Sequence, residues 1–165
     1  MAYAVALSTI LVLATLLFHY ESLRLISENF LAPDEKHSHF QITYTILMVF
    51  LVHLVEIGAY ALVLWFAHSV VDIGDFAGAR PILWADYFYF SAETFTTLGL
   101  GDIYPIGALR LIASIEPING LLLIGWSTSF TFLAMQRYWA FGKEVNRAAL
   151  ASRPARGFVP ERRAG

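Results

Sequence analysis

The sequence predicts an all-α membrane protein, because it is strongly apolar and its apolar residues fall in three long runs. Of its 165 residues, 58% are hydrophobic and only 15% are charged, and the mean hydropathy is +0.60. That balance is too apolar for a small water-soluble domain. Between the second and third runs lies a short predicted helix, followed by a loop with glycines at alternate positions. Such a loop is tolerated at membrane depth only where it is buried in protein or lines a water-filled path.

The first apolar run predicts an N-terminal transmembrane helix over residues 1–27. Its length is close to the roughly 20 residues that a bilayer crossing needs. A cleaved signal peptide is the alternative, but the segment carries no charge before its apolar core, and Glu21 and Arg24 come after it. The run has no arginine at every third position, which argues against a voltage sensor.

Residues 28–40 are polar and predict a loop, or a short helix that begins after Pro33. His37 and His39 are candidates for binding a metal or sensing pH. Two histidines in a solvated loop more often do neither, so the loop is interpreted as a connection.

The second apolar run predicts a membrane-spanning helix over residues 41–67. His53 and Glu56 are three residues apart within it and therefore share one helical face. Ionisable groups at membrane depth are costly and face protein or water rather than lipid. We expect a structural contact with the first helix or with a neighbouring subunit, with a proton site as the alternative.

The residues that organise the chain follow in the glycine-containing loop, from Thr94 to Asp102. They read Thr-Phe-Thr-Thr-Leu-Gly-Leu-Gly-Asp. This stretch resembles the pore helix and selectivity filter of potassium channels, whose motif is approximately T-x-T-T-x-G-Y-G-D. Such a filter replaces the water shell of the ion with backbone carbonyl oxygens from four loops. Gly99 and Gly101 suit that task because glycine adopts positive φ at little steric cost.

The resemblance implies a potassium-channel-like pore domain over residues 41–139, in a homotetramer with one extra N-terminal transmembrane helix. Its parts would be an outer helix (41–67), a turret (68–80), a pore helix and filter (81–105) and an inner helix (106–139). The ion-coordinating residues would be Thr97, Leu98, Gly99, Leu100 and Gly101. The residues supporting the filter would be Glu93, Asp102, Thr94, Thr96, Tyr89 and Phe90.

Two features of this stretch bear on selectivity and pH. Leu100 stands where the family has tyrosine, so it keeps the carbonyl but lacks the aromatic ring and hydroxyl that help to hold the filter's width. Glu93 and Asp102 match a pair of residues that, in some bacterial members, shares a proton behind the filter. Two carboxylates in close contact raise one pKa. The alternative places Glu93 in a polar pocket and Asp102 exposed at the outer mouth.

The third apolar run, residues 106–139, carries three candidate hinge residues and two polar residues of uncertain role. Pro117 removes a backbone hydrogen bond, and glycines are common where helices bend. The resemblance adds Gly120, with Gly125 as a second candidate, although Gly120 equally suits close packing between helices. Glu116 would either support the pore helix from behind or face the central cavity, and Asn119 lies on the same run.

The C-terminal tail, residues 140–165, is basic, and this predicts the orientation of the chain. Lys and Arg collect on the cytoplasmic side of membrane proteins, so the tail and the 28–40 loop are predicted to be cytoplasmic and the N-terminus extracytoplasmic. The basic residues of this region are Arg137, Lys143, Arg147, Arg153, Arg156, Arg162 and Arg163. Residues from Arg153 onward are predicted to be disordered or to lie along the membrane.

The function that follows is passive, potassium-selective conduction across a bacterial inner membrane. The expected partners are lipid, other copies of this chain and K⁺ (or Na⁺), with no nucleic acid, no cofactor beyond the permeant ion and no enzymatic step. The alternatives are a weakly selective cation channel, because of Leu100, and a non-conducting accessory subunit. The ratio of potassium to sodium flux separates the first alternative. Occurrence only in hetero-oligomers would favour the second.

Overall fold

The computed structural model describes residues 1–30, 38–78 and 82–151 of the chain, the last part of it as backbone only. The elements in chain order are helix α1 (Ala2–Phe30), helix α2 (Ser38–Ser69), strand β1 (Gly74–Gly78), helix α3 (Trp84–Phe95), strand β2 (Ile103–Gly107) and helix α4 (Leu109–Ala151). The described chain is therefore mostly helical, as the sequence predicted.

Three helices are long and apolar enough to cross a membrane. The qualifying stretches within the described residues are Ala2–Asn29, Phe40–Ser69 and Leu109–Arg137, of 28, 30 and 29 residues. At about 1.5 Å per residue, each exceeds the roughly 30 Å of a bilayer's hydrocarbon core. The remaining helix, α3, has 12 residues and is too short to cross the membrane. These lengths fit three membrane spans and one re-entrant helix.

Several helix boundaries differ from those expected from the sequence. Helix α1 continues through Glu28 to Phe30, α2 runs from Ser38 to Ser69 rather than from 41 to 67, and α4 begins at Leu109 and continues to Ala151, beyond the expected end at 139. His39, which was expected in the loop, therefore lies in α2. The extension of α4 has four Ala and one each of Leu, Lys, Glu and Arg among residues 140–151, and all of these favour helix, so the change from apolar to basic composition does not end it. The loop residue His37 and the tail beyond Ala151 lie outside the described residues.

A small antiparallel sheet, which the sequence analysis did not include, joins the two ends of the loop region. Gly74 pairs with Gly107 and Gly78 pairs with Ile103. The first strand was expected to belong to the turret (68–80), and the second to the end of the filter segment (81–105) and the start of the inner helix (106–139). Instead β1 and β2 satisfy one another's backbone groups, and they bring the two ends of the α3 region together.

Helix α3 lies between α2 and α4 and anchors the core. Phe90 and Tyr87 on one face of α3 pack with Phe76 of β1, with ring centroids 5.2 and 5.7 Å from that ring. On another face, Phe95 is fully buried against Tyr60 of α2 and Leu123 of α4. Because both long helices contact it, the position of α3 depends on their packing.

Helix α1 packs against both α2 and α4 through one continuous stripe. Its buried residues recur at intervals of three or four, which places them on one helical face. They are Ala4, Ser8, Leu11, Thr15, His19, Leu23 and Ile26. Three of these seven are polar. The extra helix therefore forms a specific contact with the rest of the chain rather than a purely apolar one.

Candidate functional site

The loop that carries the threonines and glycines begins where α3 ends. Near the start of α3, the backbone N–H of Leu83 donates to Asp86 Oδ2 at 2.7 Å, so a carboxylate satisfies a backbone donor there. At the other end, the N–H of Thr96 donates to the Ala92 carbonyl at 3.2 Å and that of Thr97 to the Thr94 carbonyl at 3.0 Å. The last turn of α3 therefore tightens from an i−4 to an i−3 hydrogen bond as the chain enters the loop.

The loop backbone alternates in handedness. Thr97, Gly99 and Gly101 have φ of 62°, 56° and 76°, whereas Leu98 and Leu100 are not among the positive-φ residues. Glycine was expected at such positions, but Thr97 was not expected to adopt this conformation. A non-glycine residue with positive φ carries a cost of order 1–3 kcal/mol and is typical of functional loops. The alternation is what a backbone needs to present successive carbonyls in one direction.

Glu93 holds this loop through both its backbone and its side chain. Its carbonyl accepts from the N–H of Leu98 at 2.7 Å and of Gly99 at 3.2 Å. Its side-chain Oε2 accepts from the N–H of Leu100 at 2.9 Å. Three consecutive backbone amides thus donate to one residue of the helix behind them.

Glu93 and Asp102 bind different partners rather than each other. Asp102 Oδ1 accepts from the Tyr89 hydroxyl at 3.2 Å and from the N–H of Ile103 at 3.1 Å. Burial raises the pKa of the Glu93 carboxyl; the Leu100 hydrogen bond opposes this and the charge of Asp102 adds to it. The two carboxylates are therefore electrostatically linked without a shared hydrogen bond.

The other predicted supporting residues take different places. Tyr89 contacts the loop through Asp102, while Phe90 faces the opposite way and packs in the core with Phe76. The Thr96 hydroxyl donates to the Ala92 carbonyl at 2.7 Å, which caps α3 from within, and Thr94 is half-buried. Of the two aromatic residues, Tyr89 is thus the one whose side chain contacts the C-terminal end of the loop, at Asp102.

Glu116 faces the back of α3. Its carboxyl is fully buried and contacts the Ser91 hydroxyl, which also lies 2.9 Å from the carbonyl oxygen of Ile57 in α2. Of the two placements that the sequence left open, the structure has the one behind α3. Ser91 therefore joins α2, α3 and α4 at a single oxygen.

Asn119 joins the extra helix to the same region. Its amide nitrogen donates to Thr15 Oγ1 of α1 at 2.8 Å and to the Tyr60 hydroxyl of α2 at 3.0 Å. Both contacts are buried. Asn119 is therefore the point at which α1, α2 and α4 meet through side-chain hydrogen bonds.

The glycines and proline of α4 differ in their surroundings. A Cβ at Gly120 would overlap the carbonyl oxygen of Phe95, whereas a Cβ at Gly125 would meet nothing within 4 Å. Gly120 thus permits close approach of α4 to the end of α3. Pro117 lies inside the continuous helix. Hinge roles for Pro117, Gly120 and Gly125 stay predictions.

His53 and Glu56 meet a third ionisable residue, His19, which the sequence analysis missed. Glu56 is fully buried; its Oε1 lies 2.8 Å from His19 Nδ1 and its Oε2 lies 2.9 Å from His53 Nδ1. His19 Nε2 lies 3.2 Å from the Ser127 hydroxyl of α4. The signal that could have identified His19 is its isolation within an apolar run, since ionisable residues at membrane depth need polar partners.

Comparisons with known proteins agree with this geometry. A family described as "Ion channel" matches residues 50–137, more than half of the chain. A relative from Paramagnetospirillum magnetotacticum, the inward rectifier potassium channel Kirbac3.1, is 32% identical over 74 residues, which are 44% of this chain and 25% of that protein. The uncharacterized membrane protein YdjJ of Bacillus subtilis (strain 168) is 38% identical over 64 residues, 38% of this chain and 18% of that protein.

The chain thus aligns with a quarter or less of the length of these relatives. No solved structure matches it significantly. The matched region begins at Phe50 within α2 and ends at Arg137 within α4, so it contains α3, the loop with alternating backbone handedness and the adjoining parts of the two long helices. Together with three membrane-capable helices, this shows that the chain belongs to the ion-channel family, with a potassium-channel-like pore domain.

Proposed function

We propose that this channel conducts potassium selectively, as a homotetramer, through a filter formed by Thr97 to Gly101. The observation that carries the proposal is the loop backbone: positive φ at alternate residues, with the amides of Leu98, Gly99 and Leu100 directed at Glu93. Fixing the amides behind the loop leaves the carbonyls for the ion. Rings of carbonyl oxygens are the ligands by which potassium channels replace the ion's water shell.

The exposure of the loop supports an assembly of several copies. In the single chain, Leu98 and Leu100 are 65% and 59% exposed. A Cβ built on Gly99 or Gly101 would meet nothing within 4 Å. A loop at membrane depth must be buried or line a water-filled path, and one copy cannot encircle an ion. Four copies around one axis satisfy both requirements.

We propose an orientation from charge. The basic residues from Arg137 onward favour a cytoplasmic C-terminus in a bacterial cell, and three spans would then leave the N-terminus outside. In this orientation the Thr97 end of the loop faces the cytoplasmic side and Asp102 faces the outer side.

The test is ion flux from liposomes that hold the purified chain, with potassium and then sodium as the only permeant cation. Selective conduction predicts potassium flux that barium blocks and little sodium flux. Equal flux of the two ions would contradict potassium selectivity while leaving a cation channel. No flux from a four-fold particle with a central path indicates a closed gate, whereas no flux from a chain that never forms tetramers would overturn the proposal.

A weakly selective cation channel is the second candidate, and the surroundings of Leu100 favour it. Leu100 offers no hydroxyl, and the nearby Tyr89 hydroxyl is engaged by Asp102. The filter's outer part therefore has one polar restraint fewer than the family motif provides. The variant Leu100→Tyr decides: if the native chain conducts both ions and the variant gains potassium selectivity, the second candidate is correct.

A further inference from the structure

We propose that His19, His53 and Glu56 form a binding site for a divalent transition metal such as Zn²⁺, which fastens the extra helix α1 to the pore domain. The site goes beyond ion conduction, and its occupant is distinct from the permeant ion. Each of the three residues offers one ligand atom, and these atoms all lie within 4.8 Å of one another. Two imidazoles and one carboxylate are a donor set that zinc uses widely in proteins.

The distances need little adjustment to hold a metal. Glu56 oxygens lie 2.8 Å from His19 Nδ1 and 2.9 Å from His53 Nδ1. Zinc bonds of about 2.0–2.2 Å in tetrahedral geometry hold their donors roughly 3.3 Å apart. Small side-chain rotations would therefore open the two hydrogen bonds. A metal binds the lone pair of a neutral imidazole, so each ring would carry its single proton on Nε2 and offer Nδ1 to the ion.

The negative charge of the buried Glu56 carboxylate favours binding of a cation. Glu56 is fully buried in a membrane-capable helix, and within the described chain its ion-pair partners are His19 and His53 rather than lysine or arginine. When both imidazoles are neutral, as metal binding requires, the carboxylate keeps one uncompensated negative charge, which is costly at this depth. A divalent ion compensates that charge and is held by all three residues at once.

The surroundings match those of known metal sites in two respects. His19 Nε2 lies 3.2 Å from the Ser127 hydroxyl, so the ring nitrogen opposite the proposed ligand atom is oriented by a second residue. Such outer contacts fix the tautomer and orientation of metal-bound histidines. A partly open pocket of about 190 Å³, lined by Glu56, Thr15 and five apolar residues, lies beside the cluster and gives it a largely hydrophobic surrounding. The side chain of His53 is 16% exposed, whereas those of His19 and Glu56 are fully buried, so a metal ion would enter and leave on the side of His53.

The experiment uses the full chain, purified without a polyhistidine tag, stripped with a chelator and then titrated with Zn²⁺ or Co²⁺. The expected result is about one metal bound per chain and, for Co²⁺, the absorption typical of tetrahedral coordination. Metal should raise the melting temperature of the wild type, and the chelator should reverse the change. Wild-type protein that binds no metal would overturn the proposal.

Variants then assign the ligands. His53→Gln and Glu56→Gln should lose the bound metal, and Ser127→Ala, which keeps all three ligands, should bind it about 10–100-fold more weakly. The matched control is the double variant His37→Gln with His39→Gln, called the loop variant because both histidines were predicted in the 28–40 loop, although His39 lies in the first turn of α2. It should leave binding unchanged. If the loop variant lost the metal while Glu56→Gln kept it, the metal would be bound by His37 and His39. That result would contradict the proposal. If a ligand variant does not fold, Ser127→Ala and the loop variant decide in the same way.

Discussion

The side chain of Glu93 accepts a hydrogen bond from the backbone amide of Leu100, at 2.9 Å, across seven residues of sequence. This contact joins the last turn of α3 to the outer part of the loop. Glu93 is also buried, and Asp102 lies near enough to influence it electrostatically. The stability of the loop should therefore depend on the protonation of one carboxyl.

The first prediction concerns pH. Burial raises the pKa of Glu93 above its ordinary value of 4.5. The folded chain then binds more protons than the unfolded chain between 4.5 and the raised value. The stability that Glu93 contributes is therefore present below 4.5 and is lost as the pH rises through the raised pKa. Melting temperatures of the wild type and Glu93→Gln, measured over a pH series, should converge in acid and diverge toward neutral pH, where the variant is the more stable.

The control for this prediction is Glu21→Gln. Glu21 is exposed and pairs with Arg24 on the same helix, so its removal should change stability little at any pH. A Glu93→Gln curve that runs parallel to the wild-type curve would contradict the assignment.

The second prediction concerns the positive φ of Gly99. An alanine there meets no steric neighbour but must adopt left-handed backbone, at roughly 1–2 kcal/mol. We expect Gly99→Ala to keep its helical content and assembly but to lose most potassium flux in liposomes. Gly58→Ala is the matched control, because Gly58 lies inside helix α2, where a Cβ would only approach the Phe88 ring at 4.0 Å. Flux equal in both variants would show that the loop's handedness is not needed for conduction.

The third prediction separates the two glycines of α4. Gly120→Ala would force a Cβ against the carbonyl of Phe95, and overpacking of this kind costs about 1–3 kcal/mol. Gly125→Ala meets open space within the same helix and should be neutral or stabilising by about 0.5–1 kcal/mol. Thermal unfolding of both variants in one detergent checks this. Equal melting temperatures would mean that α4 does not pack closely on α3 at Gly120.

The fourth prediction concerns the hydroxyl of Ser91, which lies between Glu116 and the Ile57 carbonyl. Ser91 has a single hydroxyl proton and the carbonyl can only accept, so both contacts are satisfied when Glu116 carries a proton of its own. Glu116→Gln should therefore fold and assemble like the wild type. Ser91→Ala removes the partner of the buried Glu116 carboxyl and of the Ile57 carbonyl, and should lower the free energy of unfolding by about 1–3 kcal/mol.

Ser114→Ala is the control for Ser91→Ala. The Ser114 hydroxyl is exposed and binds a carbonyl of its own helix, so this change should lie within about 0.5 kcal/mol of the wild type. A Glu116→Gln variant that fails to assemble, while Ser91→Ala is unaffected, would contradict the proposed proton arrangement.

Local patterns in the sequence were enough to predict several features. Apolar runs long enough to cross a bilayer depend only on composition along the chain, and they indicated three membrane spans. The threonines and glycines from Thr94 to Gly101 form a contiguous motif, and the family comparison supports the pore domain that it predicted. His53 and Glu56 were placed on one face because a helix's periodicity is fixed.

The residues that the sequence analysis missed or left open depend on how separate helices are rotated against one another. Glu56 meets His19 across 37 residues, and Asn119 meets Thr15 across 104. No spacing rule within one helix predicts such pairs. The choice between two environments for Glu116 and the pairing of β1 with β2 are decided in the same way, since each needs two distant segments in contact.

The sequence by itself thus determined that the chain spans the membrane, and where its loop with alternating glycines lies, because hydropathy and backbone preference are local properties. The tertiary structure alone decided which residues support that loop from behind, namely Glu93 and Glu116, and which residues contact helix α1, namely Glu56 and Asn119. Polar groups buried between apolar helices must find partners there, and only the packing of α1, α2, α3 and α4 brings those partners within hydrogen-bonding distance.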